Sequence, residues 1–354
     1  MKCAAVPPYL LVRISQLEDP AFARAAQAAS RSLQQDLPFR RDRPDEPGHR
    51  APTASATRST RTSPQALQRT ISDAKNTQTL PGTVIRREGE PPLGDTAADE
   101  AYDSLGAMST FLQKAYGRAS IDDAWLPLDA TVHYGHEYDN AFWDGSRMVF
   151  GDGDGQVFRR FTVSPSVIGH ELTHGITAST ANLVYRGQSG ALNESISDVF
   201  GTLLEQFGAD QSARDASWLI GEGLFTDDVQ GTAMRSMLAP GTAYDDDVLG
   251  SDPQPGSMAH YVETDEDNGG VHINSGIPNR AFAVAATTLG GRAWERMGQV
   301  WYDVLTGGVL TATADFAAFA ALTVTAASAR YGADSDVEDA VRRGWTTVGV
   351  ALPE

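Results

Sequence analysis

The chain has 354 residues, of which 41% are hydrophobic and 21% charged, the composition of a globular protein of two or three domains. Its formal charge of −18 argues against a nucleic-acid partner, which calls for a basic face. No apolar run is long enough to span a bilayer, so no membrane partner is expected, and the single cysteine, Cys3, excludes an intramolecular disulfide.

At the N-terminus, Lys2 is followed by no adequate apolar stretch before Arg13 and Glu18, so no classical signal peptide is read. The run VPPYLL (6–11) reads as extended or turn-like, because proline disfavours helix at the residue before it. Asp19-Pro20 then caps and starts a helix through residues 21–35. Residues 41–65, rich in Pro, Ser, Thr and Arg, read as a linker open to proteolysis. Residues 1–90 carry 14 Lys+Arg against 9 Asp+Glu, and the remainder 14 against 37. A basic N-terminal piece should therefore be drawn to an acidic body.

From 67 to 163 the pattern is mixed. Strands are expected at TVIRR (83–87) and ATVHYG (130–135), a helix over 99–117, and a hairpin turning at Gly-Asp within RMVFGDGDGQVFRRF (147–161). From 165 onward the pattern is helical, at 165–180, 192–207, 277–290, 293–305, 313–331 and 335–344. A β-rich half thus precedes an α-rich half.

VIGHELTHGIT (167–177) stands at the junction. Ser164 is a candidate N-cap and Pro165 suits the first helical position. His170 and His174 are four apart and share a helix face, a span suited to two imidazoles on one Zn²⁺. Glu171 lies about 100° further round, where a general base for an activated water belongs. A helix with two structural histidines is the alternative for this motif alone. A third ligand decides. A glycine at 177 and a histidine at 180 would complete one pattern, but those positions hold Thr177 and Thr180. Glu194, twenty residues after His174 in GALNESISDVFG (190–201), completes the other. Asp198 follows one turn later, placed to accept the second N–H of a ligating histidine.

These motifs, together with NAFWDG (140–145), GDGDGQVF (151–158), MRSM (234–237) and DNGGVHINSGIPNRAF (267–282), resemble the thermolysin family of zinc metallopeptidases. The resemblance implies an α+β fold: a β-rich N-terminal domain and a mainly α-helical C-terminal domain, with the zinc helix and cleft between them. It implies a zinc-dependent endopeptidase in which Glu171 is the general base, Tyr185 and His272 stabilise the oxyanion, and Asp267 holds His272. Asn140 and Ala141 match the edge that pairs with an extended substrate, and Arg235 a residue that binds a substrate carbonyl. Phe158, Phe161, Val167, Ile220, Leu224 and Met234 should line the primed-side pocket, favouring cleavage on the amino side of bulky apolar residues. A catalytically silent zinc-binding protein of the same fold is the first alternative, and intact Glu171, Tyr185 and His272 argue against it. An exopeptidase is the second.

Glu205, Asp215 and Glu222 match part of the family's double calcium site, but Ser166, Ser217 and Leu219 replace expected carboxylates. A weakened or absent calcium site is therefore expected, and Asp152–Gly155 is read as a hairpin turn rather than a calcium loop. The short N-terminal segment resembles the propeptide of the protealysin-like subgroup. The resemblance implies division into 1–52 (propeptide and start of linker), 53–178 and 179–354. It also implies a secreted monomer, with a cytoplasmic location as the alternative, acting on protein and peptide substrates. The propeptide should inhibit the enzyme intramolecularly through Pro7, Pro8 and Tyr9; for Cys3 two readings stay open, a thiolate reaching the zinc or an incidental thiol near the terminus.

Overall fold

The computed structural model describes residues 3–41 and 66–352. The expected linker lies almost wholly outside the described residues.

The chain opens with a short strand, β1 (Cys3–Ala4), and a helix, α1 (Pro8–Ser15). This corrects the extended reading of VPPYLL. The proline rule restricts only the residues ahead of Pro7 and Pro8. Pro7 stays extended as the N-cap, and Pro8 starts the helix with its φ already set. Leu10, Leu11 and Ile14 then form its buried face. Asp19 accepts from the Ala21 N–H at a 3-10 turn, and α2 (Ala23–Arg41) follows.

A six-stranded sheet has the order β1-β5-β6-β4-β2-β3. Its other members are β2 (Arg69–Asp73), β3 (Thr83–Arg87), β4 (Leu128–Val132), β5 (Ala141–Trp143) and β6 (Arg147–Phe150). One sheet face is covered by α3 (Thr96–Tyr116), which Asp95 caps. The expected hairpin is displaced: β6 pairs antiparallel with β5, and the turn is at Asp144–Ser146. There Asp144 Oδ1 accepts from the N–H groups of Ser146 and Arg147 at 2.7 and 2.9 Å. Beyond Phe150 no returning strand forms. Buried Asp154 instead accepts from the N–H groups of Gln156, Val157 and Phe158, so a side chain takes the place of a strand partner.

Below the sheet lie α4 (Pro165–Ser179) and α5 (Gly187–Ala209). The latter starts five residues earlier than its periodicity suggests. The two helices meet at glycines: a Cβ on Gly169 would lie 2.8 Å from Gly201 Cα, and one on Gly201 would lie 2.3 Å from the Ser166 carbonyl oxygen. This close approach brings the face bearing His170 and His174 against the face bearing Glu194.

The paired strands β7 (Leu219–Ile220) and β8 (Arg235–Ser236) precede α6 (Asp267–Asn274). Left-handed backbone at Asn268, Gly269 and Gly270 begins α6 and turns His272 inward. The remaining helices are α7 (Gly276–Leu289), α8 (Met297–Thr306), α9 (Phe316–Tyr331) and α10 (Asp336–Thr347). They enclose an aromatic core in which Trp301 stacks on Trp345 and meets Phe282 edge-on.

Candidate active site

His170, His174 and Glu194 are each at most 1% exposed. The two Nε2 atoms are 3.1 Å apart, and Glu194 Oε2 and Oε1 lie 3.4 and 3.5 Å from them. The opposite ring nitrogens are both engaged. His170 Nδ1 lies 2.7 Å from Asp198 Oδ1, and His174 Nδ1 lies 2.9 Å from Asn193 Oδ1. With Nδ1 held outward, both Nε2 atoms face the carboxylate. Two imidazole nitrogens and one carboxylate oxygen converging on one point form the donor set of a catalytic zinc with a position left open. It is the one such group of three or more among the described residues. Burial disfavours charge on Glu194, yet His272 and the two ligating histidines hold its pKa well below the usual carboxylate range. Asp198 behaves alike: burial opposes its charge, and Arg235 and His170 outweigh burial.

Glu171 is fully buried one residue further along α4, and its Oε2 accepts from the Trp143 N–H at 3.0 Å. Tyr185 Oη meets Glu194 Oε1 and lies 3.2 Å from His272 Nε2. Asp267 takes both the ring and the backbone of His272, at 2.7 Å to Nδ1 and 2.8 Å to the N–H.

The expected substrate residues already hold a chain, the protein's own N-terminus. β1 pairs antiparallel with β5, Cys3 opposite Trp143 and Ala4 opposite Phe142. The Ala5 N–H donates to the Ala141 carbonyl at 2.9 Å, and the Val6 N–H to Asn140 Oδ1 at 2.8 Å. Arg235 reaches the Ala5 carbonyl at 3.5 Å. Tyr9 in α1 is partly buried, with its hydroxyl inside; burial first, then neighbouring Tyr244 and Asp252, raise its pKa well above the ordinary value. The Cys3 side chain lies outside the described residues, so the thiolate expectation stays there too.

Phe158, Phe161, Val167, Ile220, Leu224 and Met234 are all buried in the main core. Phe158 packs on Phe161 with ring centroids 5.7 Å apart, and Met234 bonds back to Ile220 through the backbone at 2.9 Å. At the expected calcium position, burial raises the Glu205 pKa while the Ser166 hydroxyl bonds it. The Gly221 N–H donates to Ser166 Oγ at 3.2 Å. Asp215 accepts from the Ser212 hydroxyl at 2.6 Å.

Other partners had no legible signal in the sequence. Asn279 donates to Asp198 at 2.8 Å. From α2, Arg24 and Arg31 grip Glu137 at 2.6 and 2.5 Å, and Ser32 Oγ accepts from the Asp139 N–H. Gln156 bonds Ala21 and Ala25 at the start of α2. These contacts depend on residues 81 to 135 positions apart.

Two family models match. The catalytic domain of thermolysin metallopeptidases covers residues 51–178, and their alpha-helical domain covers 181–350. An extracellular metalloprotease of Pectobacterium carotovorum is 49% identical over 350 residues, 99% of this chain and 97% of its own. Protease PrtS of a Photorhabdus strain is 51% identical over 81% of this chain and 78% of its own length. Among solved structures, the precursor of protealysin, a metalloproteinase from Serratia proteamaculans, is similar at a TM-score of 0.87 and 48% identity, covering 99% of this chain and all of its own. The chain belongs to the thermolysin family of zinc metallopeptidases and is of the protealysin-like type.

Proposed function

We propose that His170, His174 and Glu194 hold the metal and that Glu171 is the general base of an endopeptidase. Zinc, when bound there, supplies Lewis acidity toward the scissile carbonyl and lowers the pKa of a water. Glu171 takes the proton of the attacking water and passes it to the leaving nitrogen. Its hydrogen bond from the Trp143 N–H keeps the carboxylate aimed. Tyr185 and His272 donate to the developing oxyanion, and Asp267 fixes the His272 ring and balances its charge. Asn140, Ala141 and Arg235 align the substrate backbone, while Phe158, Val167, Ile220 and Met234 receive a bulky apolar side chain after the cut bond. Asp198 orients His170.

The observation that carries this reading is a peptide strand, Ala4–Val6, lying on Asn140 and Ala141 beside the zinc donors. It also supports reading residues 1 to about 50 as an inhibitory propeptide, with Pro7, Pro8 and Tyr9 turning the chain out of the groove, and a division at 1–52, 53–178 and 179–354. Export is proposed from the extracellular relative. Among the described residues no helix is long and apolar enough to cross a membrane. The calcium site is proposed to be weakened or absent: the Ser166 hydroxyl bonds Glu205 and accepts from the Gly221 N–H at the matching place.

The test is Glu171→Ala. It should keep full zinc by metal analysis and lose nearly all turnover of a peptide blocked at both ends. Near-normal turnover in that variant would end the mechanism, and chelator-insensitive casein cleavage by the parent would end the zinc reading.

A further inference from the structure

The carboxylate of Asp36, distant in sequence from the strand that fills the groove, ends on the same side chain as that strand. Asn140 Oδ1 accepts from the Val6 N–H at 2.8 Å and from the Ala141 N–H at 3.0 Å, which fixes the orientation of the amide. Its Nδ2 therefore points the other way, and donates to Asp36 Oδ2 at 3.0 Å. Tyr138 Oη donates to Asp36 Oδ1 at 2.6 Å. Asp36, Tyr138 and Asn140 are all fully buried. The structure thus displays a bound carboxylate on two buried donors of the body, beside Val6. Val6 follows the residue whose carbonyl Arg235 reaches, and the endopeptidase reading puts it at the second primed position.

We propose that Tyr138 and Asn140 form a carboxylate-binding subsite, held by Asp36 in the precursor and filled by a peptide carboxylate once the propeptide is gone. The inference rests on the endopeptidase reading above. A residue whose N–H replaces that of Val6 presents its own carbonyl roughly 3–4 Å away, by ordinary backbone dimensions. If the chain ends there, that group is an α-carboxylate, and it falls within reach of Asn140 Nδ2 and Tyr138 Oη. An acidic side chain one residue further on offers the same chemistry. Donors to a charged acceptor gain about twice what they gain from a neutral one. The acidic surroundings do not cancel this. Burial, then neighbouring Asp154, raise the Asp139 pKa well above the usual range, which disfavours a charge there. Glu137 loses Arg24 and Arg31 with the propeptide and faces water, where its charge is screened.

The experiment uses enzyme processed after folding and freed of residues 1 to about 50, as wild type and Tyr138→Phe. One peptide pair ends two residues after the cut, as free acid or amide. A second pair, blocked at both ends, carries Glu or Gln at the third primed position. In wild type the carboxylate member of one pair should show a KM roughly five- to tenfold lower than its neutral partner, and in Tyr138→Phe that ratio should fall toward one. A preference in the first pair assigns the α-carboxylate, and one in the second assigns the side chain. Equal KM values within both pairs, or a preference that survives Tyr138→Phe, overturn the subsite. If even the neutral peptides are not cut, the endopeptidase reading fails instead. Calorimetric binding of the same pairs to the uncleaving protein then still decides the subsite.

Discussion

Arg235 and Asp198 form a two-pronged buried pair, Nε to Oδ2 at 3.0 Å and a terminal nitrogen to Oδ1 at 2.7 Å, with neither side chain more than 1% exposed. The same Asp198 Oδ1 holds His170 Nδ1. Arg235 therefore both reaches the carbonyl of Ala5 in the groove strand and is the counter-charge of the residue that aims a zinc ligand. Arg235→Met should leave Asp198 buried without its cation, at a cost of about 3–5 kcal/mol. It should also weaken zinc binding by roughly 10–100-fold through the loosened histidine. Urea unfolding and a metal competition titration check the two halves separately. Arg235→Lys should recover only part of either, since an ammonium cannot reproduce the fork.

In the mechanism proposed above, His272 donates to the oxyanion from outside the metal set. His272→Ala should keep zinc and fold while lowering kcat by roughly 10²–10³, the loss expected for one oxyanion donor. Asp267→Asn should act through the ring and cost less. Single-turnover rates with saturating peptide measure both, and a His272→Ala variant at full rate would remove this residue from the mechanism.

The groove strand is testable through one N–H. Ala5→Pro deletes the donor to the Ala141 carbonyl, whereas Ala5→Gly retains it. Uncut precursor carrying Ala5→Pro, its length verified by intact mass, should cleave a small blocked peptide several-fold faster than the parent. Equal silence of the proline and glycine variants would move the inhibition away from this strand.

His133 predicts an alkaline weakness. It stands between Asp152 and Asp95, 2.9 and 3.0 Å from their oxygens. The hydrogen bond to Asp152 chiefly, against burial and with help from Asp95, raises its pKa from 6.5 to about 9. The folded pKa lies above the unfolded one, so the stabilisation is complete below pH 6.5 and is lost as pH rises through 9. After allowance for solvent screening it amounts to about 1 kcal/mol. Urea midpoints at pH 6 and 9.5 should differ more in the parent than in His133→Gln.

The metal donors were legible because helical spacing is a local property: His170 and His174 four apart, Glu194 on the next helix, Asp198 one turn on. The apolar runs likewise marked α3, α4, α7 and α9. What escaped the sequence was decided by partners. VPPYLL became helical from Pro8 because Leu10, Leu11 and Ile14 find a core. GDGDG failed as a hairpin because Asp154 satisfies the N–H groups that a strand would have used. Asn193, Gln156 and Asp36 had no sequence signal, since each matters only through a residue brought near by folding.

β1 is the outermost strand of its sheet, and its removal with the proposed propeptide would change the physics of that border. The backbone of Ala141–Trp143 becomes an open edge, the feature by which sheet proteins stick to one another and grow into aggregates. Most proteins blunt such an edge with charge, proline or a covering loop. Here it is only three residues long, the Asp144–Ser146 turn stops it, and the Trp143 N–H is already taken by Glu171. On the mechanism proposed above, any foreign strand recruited to it is laid beside Glu171 and would be cut rather than retained.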